Sequence, residues 1–228
     1  MQELSIFDIA GPIMVGPSSS HTAGACKIGQ FARALYHKTP KKVTFYLHGS
    51  FGEVFKGHAT DKALLGGTMK FNTSDPRMKD AFKIAKQKQI EYKFRKKDLG
   101  AKYHPNTVKI LLENGDYKME VTGSSIGGGL VEILKIDNFD VDIKGRAGKY
   151  QSLVTCHDKD SKVLLHLINE IKKLGKIKIA EIEESNYRNK TLSVLSMDGY
   201  RVKLPEVLQL EKIDGVDFVR ALSKLQKQ

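Results

Sequence analysis

The spacing of apolar positions changes along the chain and predicts two successive groups of elements. Over residues 22–36, Ala25, Ile28, Ala32 and Leu35 recur at helical spacing, with His21 or Thr22 near the cap. Pro40 ends the connection, and a strand follows over residues 43–48. Gly49, Gly52 and Gly57 mark a loop with special backbone positions. Thr60 or Asp61 can cap a short helix over residues 62–65, stopped by Gly66-Gly67. Asp75-Pro76 opens another helix to about residue 88, with Pro76 in its first turn.

The pattern then turns to strands. Residues 90–95 alternate. Residues 107–112 and 117–122 flank Glu113-Asn114-Gly115-Asp116, a hairpin signal. Ser124-Ser125-Ile126-Gly127-Gly128-Gly129 reads as a tight glycine turn, and residues 130–136 and 139–143 as two more strands. Early helices followed by an antiparallel set of strands make this part α+β. Gly145-Arg146-Ala147-Gly148 reads as a linker, which predicts domains over residues 1–147 and 148–228. The second part restarts with a strand at 151–157 and a helix at 162–174 whose Val163, Leu164, Leu167, Ile168, Ile171 and Leu174 share one face. Strands at 177–183 and 191–196, a helix from Pro205 to about 212 and a strand at 216–221 complete a βαββαβ order.

Composition narrows the function classes. At 228 residues with 40% hydrophobic content, the chain can bury a core. No apolar run approaches the ~20 residues of a membrane span, and no basic-then-apolar leader opens the sequence, so neither a membrane span nor a signal peptide is expected. The net charge is +12, densest at Lys93, Arg95, Lys96 and Lys97 with Tyr92 and Phe94 between them. That alternation reads as a half-buried strand rather than a nucleic-acid surface. A basic surface also suits an anionic substrate or an acidic partner subunit. The two cysteines, Cys26 and Cys156, are far apart and form no metal-ligand pattern, which fits a reducing cytoplasm. Cys26, early in the leading helix, is either a reactive thiolate or a small buried apolar residue; the second reading is preferred.

The richest chemistry is Gly16-Pro17-Ser18-Ser19-Ser20-His21-Thr22-Ala23-Gly24. It puts hydroxyls, an imidazole and free backbone N–H groups at one helix N-terminus, a ready site for a small anion. Hydroxyls can donate to a carboxylate and accept from an ammonium group, and His21 can exchange a proton near neutral pH. Gly57-His58-Ala59-Thr60-Asp61 repeats that chemistry, and so does His104-Pro105-Asn106-Thr107. Gly127-Gly128-Gly129 lets a backbone approach a ligand closely. Together these segments suggest a polar site for a small amino or hydroxy acid.

Those four segments, in that order over about residues 4–147, resemble the motifs of the β-domain of bacterial iron–sulfur L-serine dehydratases. The resemblance implies α,β-elimination of water from L-serine, giving pyruvate and ammonia. It implies a 4Fe-4S cluster carried by an α subunit, and this chain's two cysteines cannot hold such a cluster, which takes three or four thiolates. By the same resemblance His21, His58 and His104 are candidates for proton transfer or orientation. Ser18, Ser19, Ser20, Thr22, Thr60, Asp61, Asn106, Thr107, Gly127 and Gly128 are candidates for gripping the substrate. The isolated chain is expected to be inactive, with no metal site of its own and no nucleic-acid or membrane partner.

Residues 150–224 are similar to an ACT domain. Many amino-acid-binding ACT domains carry Pro-Gly after the first strand. Here the loop is Asp158-Lys159-Asp160-Ser161, which argues for a structural role, such as an ACT-mediated dimer, over effector binding. The first domain also resembles the allosteric substrate-binding domain of some phosphoglycerate dehydrogenases, so a freestanding anion- or amino-acid-binding regulatory module is the alternative. Histidines and hydroxyls favour the dehydratase, because a bare anion site needs basic residues more.

Overall fold

The computed structural model describes residues 13–144 and 151–222. The chain divides into two compact units, residues 1–137 and 138–228. The linker at 145–148, and with it the boundary expected at 147–148, lies outside the described residues.

In the first unit a π-helical turn, Ser19–Gly24, runs directly into α1 (Ala25–Tyr36). Then come β1 (Lys42–Leu47), α2 (Gly49–Val54) and α3 (Thr60–Thr68). A 3-10 turn, Pro76–Asp80, leads into α4 (Ala81–Gln87). The strands are β2 (Glu91–Lys96), β3 (Thr107–Asn114), β4 (Tyr117–Gly127) and β5 (Leu130–Ile136), with β6 (Phe139–Lys144) next in the chain. Within this unit the strands lie in the order β2-β1-β3-β4-β5, and β6 falls in the second unit.

This sheet is mixed, which corrects the antiparallel set read from the sequence. β1 and β2 run parallel, while β1–β3, β3–β4 and β4–β5 are antiparallel. The cause is the connection from β1 to β2. It carries α2, α3 and α4, enough chain for the crossover that a parallel pair requires. The basic strand reads as expected. Phe94 stacks on Phe45 at 4.7 Å and Tyr92 on Phe82 at 5.3 Å, while Lys93 and Arg95 are exposed on the edge strand β2.

All but one of the residues of α1 are buried, so this helix is the spine of the unit. It crosses α3 backbone to backbone. A Cβ at Gly67 would collide with the Cys26 carbonyl, and one at Gly29 with the Leu64 carbonyl. This explains why α3 runs through Gly66-Gly67, where the sequence suggested a stop: the glycines serve the crossing rather than the helix end. The glycine loop expected after β1 is likewise a helix, α2. Gly49 leaves β1 at φ +51, and a Cβ there would lie 2.8 Å from the Pro105 backbone. Only a residue without a side chain turns the corner so close to the 104–107 segment. Cys26 takes the bland reading. Its thiol donates to the Phe71 carbonyl at 3.4 Å, and burial pushes its pKa up to about 12, so it stays protonated.

The second unit contains β7 (Gln151–Asp158), α5 (Ser161–Lys173), β8 (Ile177–Tyr187), β9 (Lys190–Gly199), α6 (Leu204–Leu210) and β10 (Val216–Ala221). The order β10-β7-β9-β8 is antiparallel throughout, the split βαβ arrangement predicted. Leu167 and Ile171 of α5 are fully buried with Leu153, Leu195 and Val219, and Leu164, Ile168 and Leu174 pack around them.

Candidate active site

Ser18 shapes the front of α1. Its hydroxyl accepts the His21 N–H at 3.1 Å, and its carbonyl accepts the N–H groups of Thr22 at 2.9 Å and Ala23 at 3.3 Å. The helix N-terminus is therefore less open than the sequence suggested. Ser18 has taken up three donors, and the N–H groups of Ser19 and Ser20 are the ones that make no hydrogen bond to the described residues. The wider π turn is what lets one residue cap so many groups.

The turn also aims the His21 ring. Nδ1 lies 3.1 Å from Ser20 Oγ, and Nε2 lies 3.0 Å from Ser50 Oγ on α2. Ser18 and Ser20 hydroxyls are 3.4 Å apart, so four polar groups form one line. The ring meets the buried Phe51 edge-on at 5.4 Å and the His58 ring at 5.1 Å. Burial lowers the His21 pKa, and the neighbouring His58 lowers it further. The ring is thus neutral near pH 7, the state of a proton acceptor.

His58 is brought in by a tertiary bond, in which Thr22 Oγ1 donates to the His58 carbonyl at 2.9 Å. Asp61 does not join the imidazoles. Its Oδ1 accepts the Lys62 N–H at 2.8 Å, turned back on the start of α3, and burial raises its pKa. Thr60 is completely buried beside it in sequence.

The 104–107 segment docks through α2. Phe51 N–H donates to the Pro105 carbonyl at 3.3 Å, and His48 N–H to the Thr107 carbonyl at 3.0 Å. The exposed His104 accepts the Asn106 N–H on Nδ1 at 3.0 Å, and its ring makes no ring contact with His21 or His58. Thr107 Oγ1 donates to the His104 carbonyl at 2.6 Å and lies 2.6 Å from Ser124 Oγ. Ser125 N–H donates to the Asn106 carbonyl at 2.9 Å. The Ser125 side chain presses on the front of α1, where a Cβ at Gly24 would collide with its hydroxyl. So β4 closes the ring of segments back onto the serine–histidine turn. Gly127 and Gly128, at φ +107 and +59, turn the chain from β4 into β5, and Ser19 has no side-chain partner among the described residues.

Four of the seven buried side-chain atoms without a hydrogen-bond partner among the described residues belong to these motifs: His58 Nδ1, Thr60 Oγ1, Asn106 Oδ1 and Ser125 Oγ. Buried polar groups are nearly always bonded, so this concentration marks a place suited to a polar ligand. Sequence reasoning passed over Ser50 and left Ser125 out of the substrate-gripping set. The available signal for Ser50 was a hydroxyl one residue beyond Gly49 at the end of β1. Among the described residues no group of three or more His, Cys, Asp or Glu could hold a metal ion, and no helix is long and apolar enough to cross a membrane.

Comparison with known proteins bears on the family of the chain. The profile of the serine dehydratase beta chain family matches residues 5–135. The chain is 36% identical over 222 residues to the probable L-serine dehydratase, beta chain, of Bacillus subtilis strain 168, covering 93% of this chain and 99% of that one. It is 48% identical over 147 residues to the L-serine dehydratase, beta chain, of Peptoniphilus asaccharolyticus, covering 64% and 66% of the two chains. An L-serine dehydratase of Helicobacter pylori strain J99 is 30% identical over 169 residues, covering 64% of this chain but 36% of that longer one. The chain belongs to the serine dehydratase beta chain family.

Proposed function

We propose that this chain supplies the half of an L-serine-deaminating lyase that grips the amino acid and takes its Cα proton. The observation that carries the reading is His21: a neutral imidazole held at both nitrogens by hydroxyls, beside a second imidazole. In the elimination, the Cα–H proton passes to a base and hydroxide leaves from Cβ. The resulting enamine tautomerises and is hydrolysed to pyruvate and ammonia. Cα–H is a weak acid, so a positioned base contributes strongly. We assign that base to His21, with the tilted His58 ring 5.1 Å away as its electrostatic neighbour and His104 as an orienting group. The hydroxyls of Ser18 and Ser20 and the N–H groups of Ser19 and Ser20 suit a carboxylate, Thr22 holds His58 in place through its hydroxyl, and Asn106 and Ser125 suit the amino group.

Loss of hydroxide needs an electrophile as well. This chain does not fit a 4Fe-4S cluster. Its two thiols are both buried, and Cys26 is held protonated. We therefore assign the cluster to a separate α chain that meets this one at the His21 site. The relative from Helicobacter pylori, of which this chain covers little more than a third, supports a larger whole. Catalysis in the cytoplasm follows from the same reading.

We assign residues 148–228 to an ACT-like domain with a structural role. Its β7–α5 loop is already committed. Asp160 accepts the Lys162 N–H at 2.9 Å as the cap of α5, and Asp158 and Asp217 hold Lys190 Nζ at 2.8 and 2.7 Å. No backbone N–H is left aimed at an effector by a glycine there, and pairing between copies through this domain is the favoured use.

The test is kinetic, on the pair assembled without oxygen. His21→Ala should bind L-serine within a few-fold of wild type yet form pyruvate about 10²-fold more slowly or worse. Normal turnover by His21→Ala would pass the role to His58 or His104.

A further inference from the structure

We infer that Ser50 is a positioning residue for His21, and that it couples the imidazole to the 104–107 segment. The inference rests on reading His21 as the proton acceptor. Ser20, the other hydroxyl on the ring, is its neighbour in the same turn and moves with it. Ser50 comes from a different element, 29 residues away, and is the tertiary anchor of the ring through Nε2 at 3.0 Å.

Ser50 is itself held in place. The chain enters α2 from β1 through Gly49, whose positive φ and close approach to Pro105 leave no room for a side chain. Phe51, the next residue, is fully buried, faces the His21 ring and donates its N–H to the Pro105 carbonyl. Immediately before, His48 N–H donates to the Thr107 carbonyl. The residues on either side of Gly49-Ser50 are therefore fastened to the His-Pro-Asn-Thr segment, and Ser50 hands that position to His21.

The hydrogen-bond logic gives the anchor a chemical consequence. A neutral imidazole has one N–H and one bare nitrogen, whereas a hydroxyl can serve either. Ser18, Ser20, His21 and Ser50 form a line that runs coherently in one direction or the other. The direction of that line decides which nitrogen is bare, and on this inference Ser50, its tertiary end, sets the direction. Without Ser50, only the Ser20 end constrains it, and the two tautomers mix. An imidazole in the wrong tautomer cannot accept a proton at the required atom.

The readout is nitrogen NMR of the His21 ring in the full chain, identified by comparison with His21→Gln, together with kinetics on the anaerobic pair. Native chain and Ser50→Thr should show two widely separated ring-nitrogen resonances, one protonated and one bare. Ser50→Ala and the near-isosteric Ser50→Cys should bring those resonances together. In the pair, Ser50→Ala should lower kcat about tenfold or more with KM nearly unchanged, and Ser50→Thr should restore most of it. Undiminished separation in both Ser50→Ala and Ser50→Cys would overturn the assignment. So would equal loss of kcat in Ser50→Thr and Ser50→Ala. If the native pair formed no pyruvate, the functional reading would fail, while the NMR would still decide whether Ser50 orders the ring.

Discussion

Each unit of this chain holds a histidine with both ring nitrogens hydrogen-bonded, yet only one has the makings of a catalyst. His157, at the end of β7, places Nδ1 2.7 Å from the Asp158 carbonyl and Nε2 2.9 Å from Ser193 Oγ. It is 2% exposed and packed as a strut of the sheet. His21 makes bonds of the same kind, but is only half-buried and faces a second imidazole. The helix starts differ in the same way. Asp160 takes two N–H groups at the start of α5, that of Lys162 on its side chain and that of Val163 on its carbonyl, whereas Ser18 gathers three and leaves hydroxyls around the ring. Residue type is shared between the two places. Access and the company of other polar groups are not.

Four substitutions or conditions would break or sharpen that contrast. The largest effect is expected from His21→Ala, which should cut pyruvate formation by the pair about 10²-fold or more while the chain's unfolding midpoint barely moves. Gly67→Val comes next. It drives a side chain into the backbone of α1 at Cys26 and should destabilise the first unit by about 3 kcal/mol, seen as an early transition in urea that spares the second unit. His157→Leu should reverse the signature of His21→Ala: Ser193 loses its partner, costing about 1–3 kcal/mol, while the folded fraction retains its rate per site. Asp160→Ala removes one cap and should cost only about 1 kcal/mol, with no change in KM for L-serine.

The pH dependence of His21 has a definite sign. Its folded pKa lies below the ordinary 6.5, so between the two values the unfolded chain binds more protons. The group's contribution to stability is intact above 6.5 and is lost as pH falls through the folded value. Urea midpoints below pH 6.5 should therefore fall less steeply for His21→Gln than for wild type. By the same shift, kcat/KM of the pair should rise with pH with its midpoint below 6.5.

Much of this was legible in the sequence, for physical reasons. The apolar face of α5 and the alternation of β2 follow from burial on one side, which periodicity records directly. The four motifs were legible because hydroxyls and imidazoles in clusters are rare without purpose. What escaped notice depended on close approach between distant elements. Gly66-Gly67 looked like a helix stop because a single sequence cannot show α1 lying against it. Gly49 looked like a loop because the Pro105 backbone that demands it is far along the chain. Ser50 was missed with it, since its importance lies wholly in the ring it touches. The parallel β1–β2 pair was hidden for a related reason: strand direction is set by the helices between, not by either strand.

The central claim is that this chain contributes the amino-acid grip and the base, and another chain the electrophile. The most direct measurement is pyruvate formed from L-serine under anaerobic conditions by each chain alone, by the two together, and by the pair carrying His21→Ala. The account predicts turnover only in the native pair, with at most a residue of it in the variant. Full-rate turnover by this chain alone, or an unimpaired His21→Ala pair, would contradict it.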